Sequence, residues 1–106
     1  MAEIERTDGT HYVVRLMPPR STFPGDITDA ERELMGAHAV YYETLMDTGK
    51  IVVYGPVRDS SGAWGLVVIE ASNPEEVREL TGADPAVAGG LMAVELGSMP
   101  VTVVRR

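Results

Sequence analysis

Hydrophobic and polar positions along the chain alternate between two periods, and the switches between them outline the fold. His11-Tyr12-Val13-Val14-Arg15-Leu16 has the β-branched and aromatic content of a strand, and Pro18-Pro19 stops it because neither residue can donate to a ladder. Residues 20–27, with Pro24-Gly25-Asp26 inside, read as a loop. The period then changes to that of a helix. Thr28-Asp29-Ala30-Glu31 is a capping box, and Leu34, His38, Tyr41 and Leu45 follow at spacings that place them on one face. Met35, Ala39, Tyr42 and Met46 form the flanking stripe, and Gly49 supplies a residue tolerant of the left-handed conformation past the helix end.

Ile51-Val52-Val53-Tyr54 returns to strand composition, closed by Gly55-Pro56. The cluster Asp59-Ser60-Ser61-Gly62 predicts a hairpin turn into a strand over Ala63 to Ala71. Asn73-Pro74-Glu75-Glu76 has the asparagine cap, N1 proline and N3 glutamate of a second helix, which Gly82 ends. Asp84-Pro85 caps one more short turn, and Leu91 to Val104 is extended, with Gly97 and Pro100 marking a bend or bulge. The order β-α-β-β-α-β is the split βαβ plan, an α+β, ferredoxin-like fold. Two helices cover one face of a four-stranded sheet. The bare face predicts a homodimer, with Val52, Tyr54, Leu66, Val68 and the last strand as candidates for the buried interface.

Size and composition narrow this picture further. A chain of 106 residues is one domain, and its 44% hydrophobic and 24% charged content is ordinary for a globular protein. Residues 1–10 are polar and are expected to be a flexible N-terminal segment, leaving 11–106 as the single domain. There are no cysteines, which removes disulfides, thiolate metal sites and a cysteine nucleophile. The first residues lack an apolar signal region, and no apolar run approaches the ~20 residues of a membrane helix, so a cytoplasmic protein with no membrane contact is expected. A net charge of -7 argues against a nucleic-acid partner, whose phosphates demand Lys and Arg.

The chemistry-bearing residues are few. His38 is the one histidine inside a clear helix, on its apolar face; it is either a core histidine with a satisfied hydrogen bond or a pocket group. Asp84 before Pro85 is a helix cap, and a cap can also orient an imidazole. Tyr41 and Tyr42 point about 100° apart, with Tyr41 on the His38 face; one can offer a phenol to a ligand, and core packing is the more ordinary use of either. Gly55-Pro56 would border a pocket at the sheet edge, and Arg58 just beyond can pair an anionic ligand or remain solvated. With only His11 and His38 as histidines, and no phosphate loop, G-x-G-x-x-G or HExxH, neither a metal nor an organic cofactor is expected. Ser98 lacks the nucleophile elbow that a Ser-His-Asp triad would need.

The ordered set His38-Ala39-Val40-Tyr41-Tyr42-Glu43-Thr44-Leu45, Gly49-Lys50, Gly55-Pro56 and Asp84-Pro85 before a glycine resembles the YCII-related (YciI-like) family. The resemblance runs from about Tyr12 to the C-terminus and implies a protomer of the dimeric α+β barrel type. It also implies a pocket in which a histidine and an aspartate, here His38 and Asp84, act on a small molecule. The implied activity is of the lyase, isomerase or dehydrochlorinase-like type, and the alternative is a dimeric metabolite-binding or regulatory module using the same pocket. The longer N-terminus and Pro-rich first connection depart from the family pattern and bear on the pocket mouth.

Overall fold

The computed structural model describes residues 2–105. Its elements run β1 (Ile4–Met17), α1 (Asp29–Met46), β2 (Ile51–Asp59), β3 (Gly62–Glu70), α2 (Pro74–Gly82), α3 (Pro85–Ala88) and β4 (Ala93–Arg105). All strand pairs are antiparallel, in the order β2-β3-β1-β4. This is the ferredoxin-like βαββαβ plan with a short third helix after α2. Among the described residues no helix is long and apolar enough to cross a membrane.

The helix starts follow the local chemistry. Thr28 Oγ1 accepts from the Glu31 amide at 3.2 Å while Glu31 Oε1 accepts from the Thr28 amide at 2.9 Å, so two orphan donors at the start of α1 are satisfied reciprocally. Asn73 caps α2 by accepting from the Glu76 amide at 2.9 Å. Across the sheet, Tyr12 faces Ile69 and Ile69 faces Ile51; Val14 faces Val67 and Val67 faces Tyr54. These rows turn toward the helices, where Tyr12, Val14, Leu16, Val67 and Ile69 join Tyr42 and Val77 in the core.

Two strand boundaries differ from expectation. β1 begins at Ile4 rather than His11, so residues 4–10 belong to the strand: Ile4 through Asp8 pair with Arg105 through Val101. Polar composition hid a strand whose partner lies far along the chain. Its register shifts between Asp8 and His11, where Gly9 takes φ 68°, and Pro100 falls in the stretch of β4 opposite, so the bulge sits where proline breaks the least pairing. β2 continues through Gly55-Pro56 to Asp59 instead of stopping there. An edge strand tolerates proline because half its amides point away from the sheet, and β2 is an edge.

The candidate interface set also mixes faces. Leu66 and Val68 lie on the sheet face away from the helices, in register with Arg15 and Val13. Tyr54 is on the helix side, its ring 5.7 Å from that of Tyr42, and Val52 sits exposed in the register shift between Ile51 and Val53.

Candidate functional site

Helix α1 carries the site. Its periodicity turns both tyrosines inward, and Tyr42 rather than Tyr41 occupies the centre of the core, fully buried. Tyr41 donates its hydroxyl to the Leu80 carbonyl at 2.6 Å, fastening α1 to the end of α2. One turn before Tyr42, His38 stands edge-on to the Tyr42 ring, with centroids 5.1 Å apart. Its side chain is 14% exposed.

Asp84 meets His38 from the far side. As the N-cap of α3 it accepts from the Ala86 amide through Oδ1 at 2.9 Å, and Oδ2 lies 2.8 Å from His38 Nδ1. Its side chain is completely buried. α3 packs closely here: a Cβ at Gly89 would stand 2.9 Å from Leu34 Cδ2 and from the Pro85 carbonyl, so a side chain there would require the Leu34 side chain and the backbone at the end of α3 to shift. A carboxylate only accepts, so the hydrogen on the histidine is assigned to Nδ1, and Nε2 keeps its lone pair. Burial, and then the Asp84 charge, raises the pKa of both tyrosines above the ordinary phenol value. The Tyr42 hydroxyl makes no hydrogen bond among the described residues. Tyr42→Phe is therefore expected to change stability by less than about 1 kcal/mol, because it removes a buried polar group without stranding a partner. Urea unfolding checks this, and a larger loss would reveal a hydrogen bond that the hydroxyl makes.

The cavity that His38 faces holds about 330 Å³. It lies between α1, the Gly55-Pro56 end of β2, β3 and the connection after β1. Its origin is a shortage of side-chain volume. Ala39 on α1 looks toward Ala63 and Gly65 on β3, and the row Leu16–Gly65–Pro56 crosses the sheet with nothing at its middle. Phe23, Pro24 and Ile27 from the connection close one side. Of the residues expected at the site, His38, Gly55 and Pro56 line the cavity, and Asp84 backs His38. Tyr41, Tyr42 and Arg58 do not line it. One tyrosine is held by Leu80, the other is core, and Arg58 is an exposed residue of β2 near the hairpin turn. His11 is buried in β1 beside the Thr7 and Thr10 hydroxyls, away from the cavity wall. Among the described residues no group of three or more His, Asp or Glu side chains converges as a metal-binding set would.

The connection after β1 contains a device the pattern did not reveal. Arg20 Nε donates to both oxygens of Asp26 at 2.9 Å, and its Nη atoms reach the two oxygens of Glu31 at 2.7 Å. Its guanidinium also lies 5.6 Å from the Phe23 ring centroid, so one cation ties the cavity wall to the start of α1. The Arg20 guanidinium is the main cause that holds Glu31 down at about 2, and it lowers Asp26 as well. Carboxylates depressed in the fold stabilise it above their ordinary range near ~4. That contribution is lost as pH falls toward about 2. Thermal unfolding of Arg20→Met is expected to show a shallower loss of stability over this window than the unsubstituted protein. Equal slopes would mean the clamp does not couple to folding.

Comparison with known proteins places these features. The model of the YCII-related domain matches residues 12–97. The chain is 36% identical over 59 residues to the uncharacterised protein YjpA of Bacillus subtilis (strain 168), covering 56% of this chain and 67% of that one. Among solved structures it is similar to the 5-chloro-2-hydroxyhydroquinone dehydrochlorinase TftG from Burkholderia phenoliruptrix AC1100, in complex with 2,5-dihydroxybenzoquinone. That likeness has a TM-score of 0.59 and 23% identity over 81% of this chain and 90% of that one, and is one of fold. The cofactor-independent oxygenase SnoaB from Streptomyces nogalater aligns over 94% of this chain and 96% of its own with 14% identity and a TM-score of 0.44.

Proposed function

The chain belongs to the family of YCII-related domains, and on that premise we propose that it is a small-molecule enzyme of the lyase or isomerase type, with His38 as its proton-transfer group. The observation that supports this reading best is the 2.8 Å contact between His38 Nδ1 and the buried Asp84 carboxylate at the wall of an apolar cavity. In the proposed reaction Nε2 takes a proton from the bound molecule, and Asp84 stabilises the imidazolium that forms. The proton then returns to another atom of the same molecule in an isomerisation, or is released after a leaving group departs with its bonding electrons. A dehydrochlorination is the second kind, with chloride as the leaving group. No step requires a metal or organic cofactor.

The working unit in this proposal is a cytoplasmic homodimer in which a second copy covers the sheet face bearing Leu66 and Val68. A light-scattering mass of one chain would remove it. Incubation with candidate small molecules followed by product analysis tests the enzymatic reading: conversion that depends on His38 supports it. A compound that stabilises the protein against heat yet is recovered unchanged would instead favour a metabolite-binding module. The strongly apolar cavity, with His38 and the Tyr54 phenol as its titratable wall residues among the described residues, would suit that role too.

A further inference from the structure

Resting on the reading of His38 as the polar group of the site, we infer that the cavity selects an uncharged, mostly apolar ligand carrying one hydrogen-bonding group, and rejects carboxylates and phosphates. At about 30 Å³ per water-sized group, 330 Å³ admits on the order of ten non-hydrogen atoms. The walls offer such a molecule little but hydrocarbon: Leu16, Phe23, Ile27, Met35 and Met92. Among the described residues His38 is the one titratable side chain on the wall besides the Tyr54 phenol.

Charge settles the class. Among the described residues no lysine or arginine lines the cavity. Of the cations near it, Arg20 is engaged with Asp26 and Glu31 and Arg15 lies over the Trp64 ring with Glu95 3.6 Å away, while Arg58, in register with Ala63, is exposed and stands outside the lining. His38 cannot act as the missing cation, because it comes with Asp84. With the imidazole neutral and the carboxylate ionised, the pair carries a charge of about minus one; with the imidazole protonated it carries none. An anion entering would lose its hydration and meet no net positive charge in return. A cation fares no better at close range, since Asp84 is fully buried and both its oxygens already accept hydrogen bonds, from His38 and the Ala86 amide. A single hydroxyl or carbonyl group fits, met by Nε2 as acceptor or, once the ring is protonated, as donor.

The test uses three probes with one bicyclic skeleton: 1-naphthol, 1-naphthoate and 1-naphthylmethylammonium, titrated at neutral pH into protein with isotope-labelled histidine. The expected result is that the naphthol binds at least tenfold more tightly than either ion and shifts the His38 ring signals. Ala39→Leu, which fills the cavity from α1, should abolish that binding; Ala63→Leu fills it from β3 should the first variant fail to fold. Naphthoate or the ammonium binding as tightly as the naphthol, with shifts at His38, would overturn the ligand class while leaving the His38 site standing. Preferential naphthol binding that disappears in the filled variants but leaves His38 unshifted would uphold the class and remove His38 from the site. Failure of all three to bind up to their solubility limits would overturn the class.

Discussion

Replacing His38 with alanine is expected to lower turnover by at least tenfold, and by roughly 10²–10⁴-fold if proton transfer limits the rate, on any compound the unsubstituted protein converts. A tenfold loss corresponds to about 1.4 kcal/mol of transition-state stabilisation, well within what one positioned base supplies. The side chain is 14% exposed at the cavity and stands edge-on to Tyr42, and its removal also leaves the buried Asp84 carboxylate without its imidazole partner, so a retained fold is checked by circular dichroism before turnover is compared. Asp84→Asn provides the companion measurement. An asparagine can still accept from the Ala86 amide, but a neutral side chain no longer favours the hydrogen on Nδ1 or stabilises the imidazolium. Turnover should again fall at least tenfold, and the ¹⁵N shifts of the His38 ring should report a changed tautomer population. Unchanged turnover in His38→Ala would end the proposed role of the histidine. Unchanged turnover in Asp84→Asn alone would reduce Asp84 to a helix cap.

Much of this site was legible in the sequence because it is built from local signals. The capping box, the Asn-Pro and Asp-Pro helix starts and the four-three-four spacing on α1 each act within a few residues, so His38 and Asp84 could be placed on their elements. That the two meet is a tertiary fact. It depends on α3 packing close against Leu34 of α1 at Gly89, and a glycine after a proline turn does not announce its neighbour. The tyrosines show the same limit. Adjacent positions on a helix share an inward arc, and only packing against Tyr54 and Leu80 decides that Tyr42 is core and Tyr41 a tether. The cavity itself left a faint trace in Ala39, Ala63 and Gly65, small residues at positions where a core needs volume, but their convergence requires the strand register. Arg20 was hidden for a related reason. Its partners, Asp26 and Glu31, read separately as turn and cap residues, and one cation joining them depends on how the loop closes.

The largest stability effect is expected at Asp84. Asp84→Ala removes a helix cap, worth about 0.5–2 kcal/mol, and leaves the His38 Nδ1 hydrogen without its acceptor, worth about 1–3 kcal/mol in a buried setting. Against these stands the relief of no longer holding a carboxylate in a site from which water is excluded. The sum comes to a loss of about 2–3 kcal/mol, read by urea unfolding at fixed protein concentration so that any self-association is constant. Asp84→Asn keeps the cap and should cost about 1 kcal/mol or less, which separates capping from charge. The pairing with His38 is then isolated by a double-mutant cycle. In a His38→Ala background the imidazole no longer needs an acceptor, so Asp84→Ala should cost less by about 1 kcal/mol or more. If its cost is the same in both backgrounds, the 2.8 Å contact contributes nothing to folding, and Asp84 stabilises α3 alone. If instead Asp84→Ala stabilises the protein, the buried carboxylate is held against a folding penalty, which function rather than stability would then have to explain.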